Sequence, residues 1–123
     1  MVDKKVVFIA FAIEDQRQRD LLVGQALHSR ASFEFIDMSV KEPYDNNWKE
    51  RVRTRIKRSQ GVIALVSKSS PNSSGQKWEL QCAKEENKRT LGIWAYSTDK
   101  TYLAGVNTVA WSDANLTDFI DSL

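Results

Sequence analysis

The chain has 123 residues, 41% of them apolar and 28% charged, which is one globular domain able to remove roughly two-thirds of its unfolded surface from water. Its net charge of +2 is too small to argue for a nucleic-acid or membrane partner, and no apolar run approaches the ~18 residues of a membrane span. The single cysteine, Cys82, excludes an internal disulfide and a cysteine-based zinc site and points to a reducing, cytoplasmic setting.

The opening residues run straight into a strand pattern and have no long apolar stretch of the signal-peptide kind. Val6 to Phe11 is continuously apolar and β-branched or aromatic, the pattern of a buried first strand. Glu14 and Asp15 then open a helix, where acids complement the positive end of the helix dipole. Leu21, Leu22, Ala26 and Leu27 give that helix an apolar stripe, and it ends near His28 to Arg30. Phe33 to Asp37 alternates and predicts a strand nearer an edge. Met38 to Asn47 is a loop containing Pro43, with Asp45 or Asn46 as the N-cap of the next helix. That helix carries Trp48, Val52 and Ile56 on one face and six basic residues from Lys49 to Arg58 on the others, the pattern of a solvated face or of a self-assembly surface.

Val62 to Val66 is apolar without alternation, as in the middle of a parallel sheet. A hydroxyl-rich loop comes next, with Ser67, Ser69, Ser70, Ser73 and Ser74. A helix from about Gln76 to Glu86 turns Leu80 and Ala83 inward. Thr90 to Ala95 is a fourth strand and Tyr96 to Gly105 a loop. Val106 to Val109 is a short fifth strand, and Asn115 to Leu123 a terminal helix. The alternation of strand and helix predicts an α/β fold, a flavodoxin-like three-layer sandwich. Its five-stranded parallel sheet takes the order 2-1-3-4-5, with helices on both faces, and residues 1–123 form one domain. Ligands of such sheets bind beyond the carboxyl ends of the strands, here between strands 1 and 3.

Such a fold hosts many functions, so the site has to decide. A phospho-receiver needs an Asp at the end of strand 3, where this chain has Val66-Ser67, and Lys100 lies too far past strand 4 for the matching lysine. A flavodoxin needs a phosphate loop after strand 1, where this chain has Phe11-Ala12-Ile13-Glu14. No Walker loop, GxGxxG or GxSxG occurs.

The segment Glu79-Leu80-Gln81-Cys82-Ala83-Lys84-Glu85-Glu86-Asn87-Lys88-Arg89-Thr90-Leu91-Gly92-Ile93 resembles the third helix and fourth strand of Toll/interleukin-1 receptor (TIR) domains. It is most similar to the bacterial TIR-like branch that includes the Thoeris antiphage proteins. Asn87-Lys88 stands for that family's helix-to-strand turn and Leu91-Gly92-Ile93 for its strand. Val7 to Phe11 with Glu14-Asp15, and Phe35-Ile36-Asp37 before a Pro-containing loop, resemble its first and second strands and their loops, so the likeness spans nearly the whole chain. The resemblance implies cleavage of the nicotinamide–ribose bond of NAD, with NAD as substrate and no metal. The product would be an ADP-ribose-derived signal in antiphage defence, read by a downstream nucleotide-sensing effector. It also implies self-association through TIR-like surfaces.

By this match Glu79 is the catalytic carboxylate. Alignment on Trp78 instead places Cys82 in that slot; alignment on the helix-to-strand turn keeps helix length and both strands in register. A carboxylate suits the chemistry, because N-glycosidic cleavage develops positive charge on the ribose that a nearby anion stabilises. The residues expected to line the NAD site are Phe11, Ile13, Asp15, Trp48, Ser67, Ser69, Ser70 and Trp78. Each also has a plainer reading. Glu79 reads as a first-turn dipole acid, Phe11 and Trp48 as core, Trp78 as a ring capping the core, and the serines as a solvated loop. Cys82 reads as a buried filler and His28 as a surface residue. The alternative function is a non-catalytic TIR-like signalling module that self-associates. A third reading is an N-glycosidase of free nucleotides, such as a deoxyribosyltransferase.

Overall fold

The computed structural model describes residues 5–27, 35–37 and 47–123. In chain order the strands are β1 (Lys5–Ala10), β2 (Phe35–Asp37), β3 (Gly61–Val66), β4 (Arg89–Trp94) and β5 (Thr108–Val109). The helices are α1 (Gln16–Leu27), α2 (Trp48–Arg58), α3 (Ser74–Glu85) and α4 (Asp113–Asp121). The strands pair in the order β2-β1-β3-β4-β5, and every pairing is parallel. The result is an α/β fold around a parallel sheet.

Helices cover both faces of the sheet along β1, β3 and the middle of β4, which explains the unbroken apolar runs. Successive side chains of a strand point to opposite faces, and here both faces carry helices. Val7, Ile9, Ile63, Leu65, Leu91 and Ile93 pack with Leu22 of α1 and with Leu116 and Ile120 of α4. Phe8, Ala10 and Val62 point the other way, onto Val52 and Ile56 of α2 and Cys82 and Ala83 of α3. All six residues of β3 are buried, as befits the central strand of the five, with helices on both faces.

Several local expectations shift. Glu14 and Asp15 belong to a 3-10 turn (Ile13–Asp15) that precedes α1 rather than to the helix itself. On α1, Leu22 is fully buried but Leu21 is 55% exposed; adjacent leucines lie about 100° apart on a helix, so both cannot face the core. The N-cap of α2 is Asn47; Asp45 and Asn46 lie outside the described residues, as does His28. Helix α3 begins two residues earlier than expected, capped by Ser73, whose Oγ accepts the Gln76 backbone N–H at 3.1 Å. Helix α4 likewise starts at Asp113 with Ser112 as its cap. Strand β5 covers only the last two of its four expected residues. Among the described residues no helix is long and apolar enough to cross a membrane.

The turn from α3 into β4 has a physical signature in the sequence. Asn87 has φ 58°, its N–H bonds Lys84 O at 3.1 Å, and the Lys88 N–H reaches back to Ala83 O at 2.9 Å. This is a Schellman end with asparagine at the left-handed position. It delivers the chain into β4 opposite Gly61.

Gly92, in the middle of β4, sits where no side chain fits. A Cβ there would lie 2.6 Å from Thr108 Oγ1 and 2.7 Å from Val106 Cγ1, and both belong to stiff β-branched residues. Gly92→Ala should therefore cost about 1–3 kcal/mol through displacement of β5. Urea denaturation checks this; an unchanged midpoint would show that the β4–β5 packing gives way freely.

Candidate functional site

The carboxyl ends of β1 and β3 lie side by side, and the carbonyls of Ala10 and Leu65 there need donors. Gln76, fully buried in the first turn of α3, supplies them. Its Nε2 donates to Ala10 O at 3.1 Å and to Leu65 O at 2.8 Å. One amide thus ties both strand ends to the helix. Its Oε1 is buried without a partner among the described residues.

Glu79 lies three residues further along the same face of α3. Because the helix starts at Ser74, Glu79 lies in its second turn and is no dipole acid at the helix start. It is 5% exposed, and its Oε1 has no partner among the described residues. Burial pushes the carboxyl up to about 8, against a weaker downward pull from the Phe11 backbone N–H. At neutral pH the group is therefore mostly a neutral acid, held beside the end of β1 with one oxygen free. A strongly perturbed, partner-poor carboxyl at the carboxyl end of a parallel sheet is the kind of group that marks a functional site.

The two tryptophans lie behind it. Trp48 and Trp78 meet edge to face, ring centroids 5.2 Å apart, and both pack on the α2–α3 core. Lys49 lies 5.7 Å and Arg53 5.5 Å from the Trp78 ring, and Arg53 also pairs with Glu85 and Glu86. Cys82 is buried in the same cluster, and burial pushes its thiol up. It is a protonated core filler, not an activated nucleophile.

Beyond the strand ends, Asp15 is the centre of a second network. Only 2% exposed, it accepts the hydroxyls of Ser67 (2.5 Å) and Tyr96 (3.3 Å). Ser67 Oγ in turn accepts the Ser69 N–H, and Ser70 Oγ accepts the Ser67 N–H. The loop after β3 is thus an ordered, internally bonded turn rather than solvated chain. On the far side Asp99 accepts the Lys68 N–H at 2.8 Å and both the N–H and the hydroxyl of Thr101. These bonds hold its carboxyl below the usual range, the Thr101 hydroxyl contributing most. Between the loops after β1, β3 and β4 opens a cavity of about 910 Å³.

Of the eight residues expected to hold a ligand, Asp15, Ser67 and Ser69 line this cavity. Ser70 is buried beneath it as a loop brace. Phe11 is core, although its backbone faces Glu79. Ile13 is 63% exposed and does not border the cavity, nor do Trp48, Trp78 and Glu79. Sequence reasoning missed Gln76, which looked like an ordinary polar helix residue, and the loop after β4. In that loop Tyr96, Asp99, Lys100 and Thr101 form a cavity wall. An aromatic and two hydroxyl residues flanking a charged pair just beyond a strand end were the available signal.

The family model described as the Thoeris protein ThsB, TIR-like domain, matches residues 8–100. Among solved structures, the chain resembles the TIR domain of the Toll-related receptor TRR-2 from Hydra magnipapillata, with TM-score 0.62 and 19% identity over 94% of this chain and 91% of that one. It also resembles the CMP N-glycosidase BcmB of Clostridium botulinum, with TM-score 0.59 and 18% identity over 97% of this chain and all of that one. No curated protein matches the sequence.

The raised carboxyl has a consequence for stability. A folded-state value near 8 against 4.5 unfolded means that the native protein binds this proton more tightly. The resulting stability is full below about pH 4.5 and is lost as pH rises through 8. Glu79→Gln removes that dependence. Relative to wild type it should gain stability from pH 5 to 9, by at most about 4–5 kcal/mol, measured by urea unfolding at both ends of the range. A difference that stays flat with pH would mean that Glu79 is not held as a neutral acid.

Proposed function

This chain belongs to the family of the Thoeris protein ThsB TIR-like domain, and from that premise we propose that it cleaves the N-glycosidic bond of a nucleotide, NAD foremost, in antiphage defence. In this reading the sheet and helices are layered in flavodoxin-like fashion, and the substrate lies across the carboxyl ends of β1 and β3. NAD is the substrate, with no metal, and the product is an ADP-ribose-derived signal. The observation that carries the reading is Glu79, a buried carboxyl with one unpartnered oxygen beside the end of β1.

The chemistry rests on the charge of the leaving group. In NAD the nicotinamide is already cationic, so the ribose C1′–N bond breaks with both electrons going to nitrogen, and neutral nicotinamide departs without a proton. What the transition state needs is a negative charge near C1′. A pyridinium approaching Glu79 favours its ionised form, which lowers the carboxyl from about 8. The carboxylate then stabilises the ribosyl cation and accepts a proton from the water or hydroxyl whose oxygen adds to C1′. Gln76 holds the strand ends that flank this place.

A second reading has its own support. At neutral pH Glu79 is mostly protonated, and a neutral carboxylic acid is suited to a base that must be protonated as it leaves. Likeness of fold to a CMP N-glycosidase is in keeping with that chemistry. The two readings predict opposite pH dependence. With NAD, kcat/KM should rise with pH through an inflection near 8. With a pyrimidine mononucleotide it should fall through the same inflection.

Purified protein incubated with NAD should release nicotinamide, monitored by chromatography, and Glu79→Gln should lower the rate by about 10²-fold or more. Equal release by both proteins would remove Glu79 from the mechanism. Release from neither NAD nor CMP would leave a non-catalytic module, and light scattering across a dilution series would then test self-association.

A further inference from the structure

The 910 Å³ cavity does not include Glu79, yet it is close to it. Asp15, on its wall, is four residues from Phe11, whose N–H faces the Glu79 carboxyl. Four residues span at most about 14 Å, and the 3-10 turn, with Asp15 N–H on Ala12 O at 2.8 Å, makes the distance shorter. A ligand reacting at Glu79 and long enough to cross this ridge enters the cavity.

The lining indicates what it would take. Tyr96 presents a ring that is 40% exposed, with its hydroxyl fixed by Asp15. Lys68 and Lys100 stand on the rim. Lys100 lies 4.5 Å above the Trp94 ring, a cation–π contact that fixes where the ammonium sits. Two of the three carboxylates on the wall are committed internally, Asp15 to Ser67 and Tyr96 and Asp99 to Lys68 and Thr101. Glu14 is exposed, and the hydrogen bonds of Asp15 and Asp99 occupy their acceptor oxygens without removing their charge, so the ammoniums of Lys68 and Lys100 are the charged donors this wall offers to an anion. The Ser69 and Thr98 hydroxyls complete a wall able to meet a phosphate and a ribose diol. The size suits a nucleotide, being at the upper end of the range for small-molecule pockets.

We propose that this cavity seats the nucleoside 5′-monophosphate half of a dinucleotide substrate, the half remote from the bond that is cleaved. Tyr96 lies against its base, and Lys68 and Lys100 hold its phosphate. This rests on the reading of Glu79 given above, and it assigns the loop after β4 the task of separating dinucleotide from mononucleotide substrates.

The test compares NAD with nicotinamide mononucleotide, which has the same scissile bond and no second nucleotide. In the double variant Lys68→Gln/Lys100→Gln, and separately in Tyr96→Leu, KM for NAD should rise roughly tenfold. KM for the mononucleotide should stay within about twofold, with kcat unchanged. AMP added alone to the wild-type protein should shift the backbone amide resonances of residues 96–101, and the double variant should lose those shifts. Equal changes in KM for both substrates would overturn the proposal, as would AMP that leaves residues 96–101 untouched. If neither substrate is cleaved, the reading of Glu79 fails on its own, and the AMP titration still decides the cavity.

Discussion

The arrangement depends on one side chain serving two strands. Parallel strands that end together leave carbonyls with no partner in the sheet, and an unpaired buried carbonyl costs on the order of 1–3 kcal/mol. Gln76 meets both with one amide. This fixes the first turn of α3 against the junction of β1 and β3. With that turn fixed, the helical repeat sets the direction of every later side chain: Glu79 and Ala83 share the inward face, and Trp78 is rotated toward α2. The carboxyl has no freedom to swing to water. Its raised proton affinity is a consequence of where the helix is pinned.

Two polar networks therefore meet at the same edge of the sheet with opposite characters. Around Asp15 every carboxylate oxygen has a hydroxyl partner, and the loop after β3 bonds to itself through Ser67 and Ser70. Around Glu79 one carboxyl oxygen and the nearby Gln76 oxygen have no donors among the described residues. Native interiors seldom leave such groups unmet, and in the proposed reading a ligand's own donors complete the set. Ribose hydroxyls are donors of that kind.

Much of this was legible in the residues. The continuous apolar runs in β1, β3 and β4 were readable because helices cover both faces, which removes the need for alternation. The Asn87-Lys88 turn was readable because few residues tolerate a positive φ. Glu79 was singled out by resemblance, but its burial was not legible, since burial depends on how the helix sits and not on its neighbours in sequence. The choice between Leu21 and Leu22 was likewise beyond a repeat of 3.6 residues. Gln76 and Tyr96 were missed for a common reason: their partners are 11 to 81 residues away, and a polar residue with a distant partner looks like any surface residue. Asp99 bonds Thr101 two residues on as well as the distant Lys68 N–H, and the local bond alone marks only a turn. The serine loop reads in sequence as a solvated run or a ligand wall. It is partly a brace, with Ser70 buried and Ser67 and Ser69 on the cavity.

In this account Glu79 is a neutral acid in the empty protein and ionises when a cationic ring arrives. Carbon-13 NMR of the glutamate side-chain carboxyls, assigned through Glu79→Gln, measures this directly. The Glu79 resonance should titrate near pH 8 in the free protein and at lower pH when NAD is bound. A midpoint near 4.5, unmoved by NAD, would contradict it.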